Sequence, residues 1–377
     1  MTVPIVTLNI FPPKYSVTGI RAEDKTNSVV IITGSCPIPN SQNTLGMIYR
    51  GPKAPNNTSG CSWNPADSMG CICLLPKING GATVATSVLY GPDTYLFTPA
   101  IGDQNVRVVG SYRLQTGYDH GVMYTGPLDL IGLEDHRRWD TIDMNSGVAG
   151  STVANTILHS TMGDVIVGNY DLVAGSVADG KFNAFIYFHN VNVGTKYFDL
   201  KQLLGLPDSK LVTAYGVWRN NTHSNTNSTS YTIAGGLRDR KDNTGVNVGF
   251  LVDFDTSNFT TRNLTEFPFG NVPGALTHFE GITRYGELMT NYGPRYYSLA
   301  ATGDKQNVNR GAAFAVVERN SQNGSFFPNA EWQPVQGTTD GFTTGNTVLE
   351  NNVYGIYSTS SSPLDFQSYV AENLPVR

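Results

Sequence analysis

His278 and Glu280 are the two residues of this chain whose types and spacing could move a proton. They stand in the run Ala275-Leu-Thr-His-Phe-Glu-Gly-Ile282, which reads as a strand. Successive side chains of a strand point to opposite faces, so residues two apart share one. An imidazole that gives or takes a proton near neutral pH, beside a carboxylate that can hold its charge, makes an acid/base or orienting pair. A hydrogen-bonded pair that only seals neighbouring strands is the competing reading. The elements that carry the pair decide what it faces.

Those elements repeat. Residues 165–188 hold two β-type runs, Val165-Ile-Val-Gly-Asn-Tyr170 and Asn183-Ala-Phe-Ile-Tyr-Phe188, joined by a loop of Gly, Asp, Ser and Ala. Asn155-Thr-Ile-Leu-His-Ser160 stands before this hairpin and Lys196-Tyr-Phe-Asp-Leu200 after it, which makes a unit of four short strands. The same pair of runs recurs from Val30 and Gly46, from Val106 and Gly121, from Tyr231 and Gly249, from Tyr297 and Ala313, and finally at Val353. Gly34, Gly110, Gly168, Gly235, Ala301 and Gly355 are its equivalent small residues, spaced 54 to 76 residues apart. Six such units fit the chain. Units of this kind cannot bury both faces alone, so they stack or close into a ring. The strand at residues 4–11 has no partners of its own, while the last unit runs out of chain after Phe366-Gln-Ser-Tyr-Val370. The expected architecture is therefore all-β, a six-bladed β-propeller in one domain over residues 1–377, closed by its N-terminal strand. Five or seven blades is the counting error.

Aligning the inner strands on a small-then-apolar step pairs Gly19-Ile20, Ser87-Val88, Thr156-Ile157, Gly216-Val217, Gly281-Ile282 and Thr347-Val348. The residues just before are Thr18, Thr86, Asn155, Tyr215, Glu280 and Asn346, and those two earlier are Ser16, Val84, Val153, Thr213, His278 and Thr344. Blade five alone places a titratable pair there. Further along the strands come Arg21, Tyr90, His159, Trp218 and Glu350. An apolar substrate would meet Tyr90, Tyr215, Trp218 and Phe279, with Arg21, Asn155, His278 and Glu280 as polar anchors and His159 and Glu350 at the margin. Each of these has a purely structural reading as well.

Composition bounds the partners. Charged residues make up 15% of the chain against 40 glycines, 19 tyrosines and 17 phenylalanines, which suits turn-rich β structure. The formal charge of -5 has no long run of one sign behind it, so neither nucleic acid nor an anionic membrane is an expected partner. No stretch is apolar for long enough to span a bilayer. Asn-X-Ser/Thr sequons at Asn56, Asn57, Asn220, Asn227, Asn258, Asn263 and Asn323 point to N-linked glycans and a secretory or extracellular location, although an Asn-rich chain collects such triplets by chance. Thr2 has no signal peptide before it, which on this reading has been removed. Cys36, Cys61, Cys71 and Cys73 all fall in the first unit. They lack paired C-x-x-C knuckles and a nearby histidine, which favours disulfides over a metal. Cys71 and Cys73 are too close to bridge each other, so each pairs with one of Cys36 and Cys61, in an order the spacing leaves open.

No Gly-x-Ser-x-Gly, His-Glu-x-x-His, phosphate-gripping or dinucleotide-binding motif is present, and the six histidines are spread too widely to imply a metal site. No cofactor is expected. A sequon-rich, six-repeat propeller without metal or nucleophile motifs resembles the fungal hetero-Diels-Alderases of tropolone sesquiterpenoid biosynthesis. That resemblance implies an enzyme that holds a tropolone quinone methide beside a sesquiterpene alkene for cycloaddition, a reaction served by orientation and a few hydrogen bonds. It carries no site residue across. A secreted carbohydrate-binding propeller lectin, or a hydrolase or lyase using His278 and Glu280, are the alternatives. A lectin of that kind would repeat equivalent Trp or Asp residues from blade to blade, and Trp139 and Trp218 occupy different strands.

Overall fold

The computed structural model describes the chain except residues 1–2, 5–6, 57–59, 67, 79–82, 191, 222–227, 240–246, 306–307, 337–341, 359–364, 373 and 375–377, with the backbone alone at 3–4, 239, 304–305, 308–310 and 336. Six sheets of four or five mainly antiparallel strands follow one another along the sequence, and the protein is a six-bladed β-propeller. The chain packs as two compact units, Asn9–Asp199 with blades one to three, and Met1–Leu8 together with Leu200–Arg377 with blades four to six. Among the described residues no helix is long and apolar enough to cross a membrane.

The inner strands are Ser16–Ala22, Val84–Thr94 and Val153–Met162 in the first unit, and Lys210–Arg219, Leu276–Arg284 and Thr343–Leu349 in the second. Their partners, Val30–Pro37, Asn105–Leu114, Val165–Ala174, Ser230–Asp239, Tyr296–Lys305 and Asn352–Tyr357, contain the small residue that marks the sequence repeat. The structure explains that residue. Every inner strand slips its register at an equivalent place, leaving Thr18, Tyr90, His159, Tyr215, Glu280 or Asn346 as the extra residue of a β-bulge. The repeat residue pairs with the position just before the bulge. A β-carbon on Gly34, Gly110, Gly168, Gly235 or Gly355 would come within 1.9, 2.2, 2.5, 1.9 and 1.9 Å of the backbone oxygens of Ser16, Val88, Ile157, Thr213 and Thr344. Only blade five carries a methyl group there, Ala301 opposite Phe279.

This pattern corrects the sequence alignment in two blades. In blades two and three the bulges fall at Tyr90 and His159, four residues beyond Thr86 and Asn155. Both strands also hold an earlier irregularity, between Val84 and Thr86 and between Val153 and Thr156, and the small-then-apolar steps Ser87-Val88 and Thr156-Ile157 lie beside it, short of the shared bulge. In blade two the true step is Gly91-Pro92, and that proline lies inside the strand. It is tolerated because the inner strand is the edge of its own sheet.

The closing strand is shorter than expected. Thr7 and Leu8 pair antiparallel with Val370 and Tyr369 of the last strand, Gln367–Ala371, and so complete blade six. Asn9 then takes a left-handed φ of 59° and ends the pairing. Ile10 and Phe11 are buried instead, Phe11 edge-on to Tyr49 of blade one at 5.4 Å. Upstream, Val3 and Pro4 run parallel to Val335 and Gln336 and extend blade five. In blade one Cys36 bridges Cys73 and Cys61 bridges Cys71, which settles the order left open by spacing. The sulfurs of Cys36, Cys61 and Cys73 crowd within 4.8 Å of one another, yet each is spent in a disulfide.

Blades four and five are locked by a buried ion pair. Arg319 and Asp253 have side chains 0% and 1% exposed, and the guanidinium spans the carboxylate with Nη1 to Oδ2 at 2.7 Å and Nη2 to Oδ1 at 2.8 Å. Tyr297 OH, Thr232 Oγ1 and the Gly324 carbonyl oxygen accept its other Nη hydrogens, Nε alone finds no acceptor among the described residues, and the Phe326 ring lies 4.4 Å away as a cation–π face. Such a pair offsets its desolvation only as far as the polar atoms around it are matched, and removal of one partner leaves a buried charge.

Because the obstacle at Gly235 is backbone oxygen, no side-chain rotation can relieve an added methyl group. Gly235→Ala is expected to lower unfolding free energy by about 1–3 kcal/mol in denaturant titration. An unchanged midpoint would show that the carbonyl contact does not set the residue.

Candidate functional site

In the unit holding blades four to six, His278 begins the inner strand of blade five and Glu280 is its bulge residue. Their side chains meet, His278 Nε2–H donating to Glu280 Oε1 at 2.5 Å, and both stay about a quarter exposed at 24% and 23%. The bulge residue of blade four, Tyr215, lays its ring 5.5 Å from the imidazole. Behind the histidine is Gly236, where a β-carbon would stand 2.9 Å from His278 Cβ. Blade four thus gives up a side chain at the place where His278 leans on it. The arrangement can bind and pass one proton at a partly open, aromatic-flanked spot.

In the unit holding blades one to three, the bulge residues are Thr18, Tyr90 and His159. Thr18 Oγ1 donates to the Leu89 oxygen at 2.6 Å, and the rings of Tyr90 and His159 lie 4.6 Å apart. Burial pushes the His159 imidazole down to about 3, so it stays neutral. Arg21 is buried at the end of its strand, where desolvation lowers its guanidinium to about 10 against the opposing pull of Asp93. Asp93 accepts hydrogen bonds from Thr98 Oγ1 at 2.6 Å and from Gly163 N at 3.1 Å, and burial pushes its carboxyl up.

The same unit holds a second polar group that sequence reasoning missed. His120 Nδ1 and an Asp143 carboxylate oxygen lie 2.8 Å apart, and Tyr112 stacks on the imidazole at 5.3 Å. That hydrogen bond raises the imidazole above its ordinary value, and burial raises the neighbouring Asp119 carboxyl. Asn155, expected as a substrate anchor, is committed here, its Nδ2 donating to Asp171 at 3.0 Å and its Oδ1 accepting from Asp119 N at 2.8 Å. Nothing in the spacing of His120 and Asp143 announces them. They meet only because Val122 pairs with Thr141 across the third and fourth strands of blade two.

Other expected residues are placed away from the pair. Glu350 is exposed and sits at φ 53° in the turn after Thr343–Leu349, at the opposite end of its strand from the level of His278. Trp218 is buried near the far end of its own strand. Phe279 is fully buried on the other face of its strand, stacked 5.9 Å from Trp332 and packed on Phe267. Strand alternation, applied strictly, assigns Phe279 to that core, since it lies between His278 and Glu280. Of the expected residues in this unit, the structure brings together His278, Glu280 and Tyr215.

No family model matches the chain, and no curated protein sequence matches it. Solved structures resemble it over nearly its whole length at low identity. One is the GH93 α-L-arabinofuranosidase of Fusarium graminearum with arabinobiose, at 10% identity and TM-score 0.47, covering 97% of this chain and 96% of that one. Another is Sqt1 from Chaetomium thermophilum, at 10% identity and TM-score 0.39, covering 99% and 100%. A third is Drosophila Semaphorin 1b, extracellular domains 1-2, at 6% identity and TM-score 0.38, covering 99% and 87%. Likeness of this order transfers no residue and no activity.

The half-buried imidazole of His159 has a consequence for pH. The folded value of His159 lies below the ordinary one near 6.5, so as pH falls through that region the unfolded chain takes up a proton that the folded chain refuses. Stability is therefore expected to fall from about pH 6.5 toward 3, by at most about 1.4 kcal/mol per pH unit from this group. His159→Gln should flatten that part of the profile in denaturant titrations from pH 7 to 4. Equal slopes in both proteins would mean that His159 titrates normally.

Proposed function

We propose that the protein is an enzyme of small-molecule chemistry in which His278 and Glu280 act as the proton-donating and orienting pair. The observation that carries this reading is their 2.5 Å hydrogen bond at a quarter exposure, beside the Tyr215 ring and over the bare backbone of Gly236. Glu280 steadies the imidazolium form, and the protonated pair can donate toward a substrate oxygen as negative charge develops there. Tyr215 supplies apolar contact for the rest of the molecule.

In its finer form the substrate oxygen is the carbonyl of a tropolone quinone methide, and the second reactant is a sesquiterpene alkene. The hetero-Diels-Alder step then forms one C–C bond and one C–O bond at that oxygen while the imidazole N–H hydrogen-bonds it and keeps its proton, so orientation and one donor suffice. A lectin with a site in every blade fits the bulge residues poorly, because Thr18, Tyr90, His159, Tyr215, Glu280 and Asn346 offer no repeated sugar platform. A hydrolase or lyase would use the same pair. Two disulfides in blade one suit an oxidising compartment, and we place the protein in the secretory pathway or outside the cell.

Steady-state assay with a quinone-methide precursor and humulene tests both levels. His278→Ala should lower kcat by about 10²–10⁴ with a much smaller change in KM, since the donor acts in the transition state. Gly236→Ala, which crowds His278 without touching substrate, should lower kcat in the same direction by about tenfold. Wild-type cycloadduct no greater than background overturns the cycloaddition, and undiminished kcat in His278→Ala overturns the role of the pair.

A further inference from the structure

We infer that the sequon asparagines described in blades four and five divide into two classes: Asn258 and Asn323 carry N-linked glycans, whereas Asn220 and Asn263 are internal amides that stay bare. The division rests on what each side chain does in the fold and is independent of the proposed reaction.

Asn258 is exposed in the turn between the strands Asn247–Asp255 and Thr260–Phe267. Its Oδ1 accepts from the backbone N–H of Thr260 at 3.2 Å and from Thr260 Oγ1 at 2.7 Å. Asn323 is exposed in the connection that follows Val308–Glu318, and its Oδ1 accepts from Ser325 N at 3.0 Å and Ser325 Oγ at 2.8 Å. In both, the hydroxyl residue of the sequon occupies the amide oxygen. That leaves the nitrogen, the atom a glycan replaces a hydrogen on, toward solvent.

Asn220 and Asn263 use that nitrogen inside the protein. Asn220 is fully buried, with Nδ2 donating to Ser230 Oγ at 3.1 Å and Asp253 Oδ1 at 3.2 Å. Its Oδ1 accepts from Thr232 Oγ1 at 2.9 Å and from Tyr297 OH at 2.8 Å. Asn263 Nδ2 donates to Asp253 Oδ2 at 2.9 Å and to the Gly324 oxygen at 3.2 Å. Both amides therefore belong to the shell of the Asp253–Arg319 pair. A sugar on Asn220 needs space where Asp253 and Ser230 stand, and one on Asn263 displaces a bond to the same carboxylate. Chains modified at either position before folding cannot complete the lock.

The placement also gives the glycans a side. The connections between third and fourth strands leave each blade at the end opposite to the start of its inner strand, where His278 lies. Sugars at Asn258 and Asn323 thus cover the far ends of blades four and five and leave the His278 end bare. Asn56 is exposed after the third strand of blade one, while Asn57 and Asn227 lie outside the described residues.

The test is secretion of the full chain from a eukaryotic host behind a cleavable leader, followed by enzymatic deglycosylation in heavy-oxygen water and peptide mapping. Label is expected at Asn258 and Asn323 in most secreted molecules and is expected to be absent at Asn220 and Asn263. Label at Asn220 or Asn263 in folded protein, or none at Asn258 or Asn323, overturns the assignment. Asn258→Gln, Thr260→Ala and Asn323→Gln should each remove one glycan's worth of gel mobility without changing the melting temperature. A variant that keeps the wild-type mobility also overturns it.

Discussion

Five of the six inner strands turn one backbone oxygen onto a glycine of the neighbouring strand just ahead of a bulge, and most of this structure depends on that contact. The oxygen requires a residue without a side chain opposite, which is why glycine marks five of the six units. The bulge then sets one residue of each inner strand outside the ladder at that level. Next comes a small residue that lets the adjoining blade approach: a β-carbon on Gly19 would fall 1.8 Å from the Tyr90 oxygen, and one on Gly91 2.5 Å from that of His159. In the other unit Gly216 meets Ile282 and Gly281 meets the Thr347 backbone in the same manner. One backbone irregularity thus specifies a repeat, an interface between neighbours within each unit, and the position of Tyr90, His159, Tyr215 and Glu280.

Much of the fold was legible because that irregularity writes itself into composition. The spaced glycines and the β-branched runs around them located the paired strands of each unit. His278 and Glu280 were legible as a pair because strand alternation alone puts them on one face. What failed has a physical cause in each case. Tyr90 and His159 were displaced from the bulge position because two strands carry an additional slip, which residue types do not announce. Phe279 and Trp218 were read as walls because an aromatic residue looks the same in a core and in a pocket. Glu350 was read as part of the strand, whereas its positive φ makes it the turn.

The two units solve a shared problem with different chemistry. Each buries an aspartate at the end of a strand and must offset the cost. Blades four and five enclose Asp253 with a bidentate guanidinium and two asparagine amides, so that both charges stay paired. Blades two and three satisfy Asp93 mainly with the neutral donors Thr98, Thr94 and the Gly163 amide, while Arg21 and Arg107 act at longer range. In the first arrangement the carboxylate is tied to a third and a fourth strand. In the second it ties an inner strand to the turn of the following blade.

The closing strand imposes an order on folding. Thr7 and Leu8 find their partners only in Val370 and Tyr369, so the contact that finishes blade six joins residues separated by almost the whole chain. Blades one to three can form from residues already synthesised, whereas Val3 and Pro4 wait for Val335 and Gln336, and Thr7 and Leu8 wait for the last strand. Long-range pairing of this kind is slow, and the waiting edges of blades five and six are open to intermolecular strand addition meanwhile. The same pairing, once made, means that a cut within the C-terminal strand loosens the N-terminus and that the two ends of the chain fray as one.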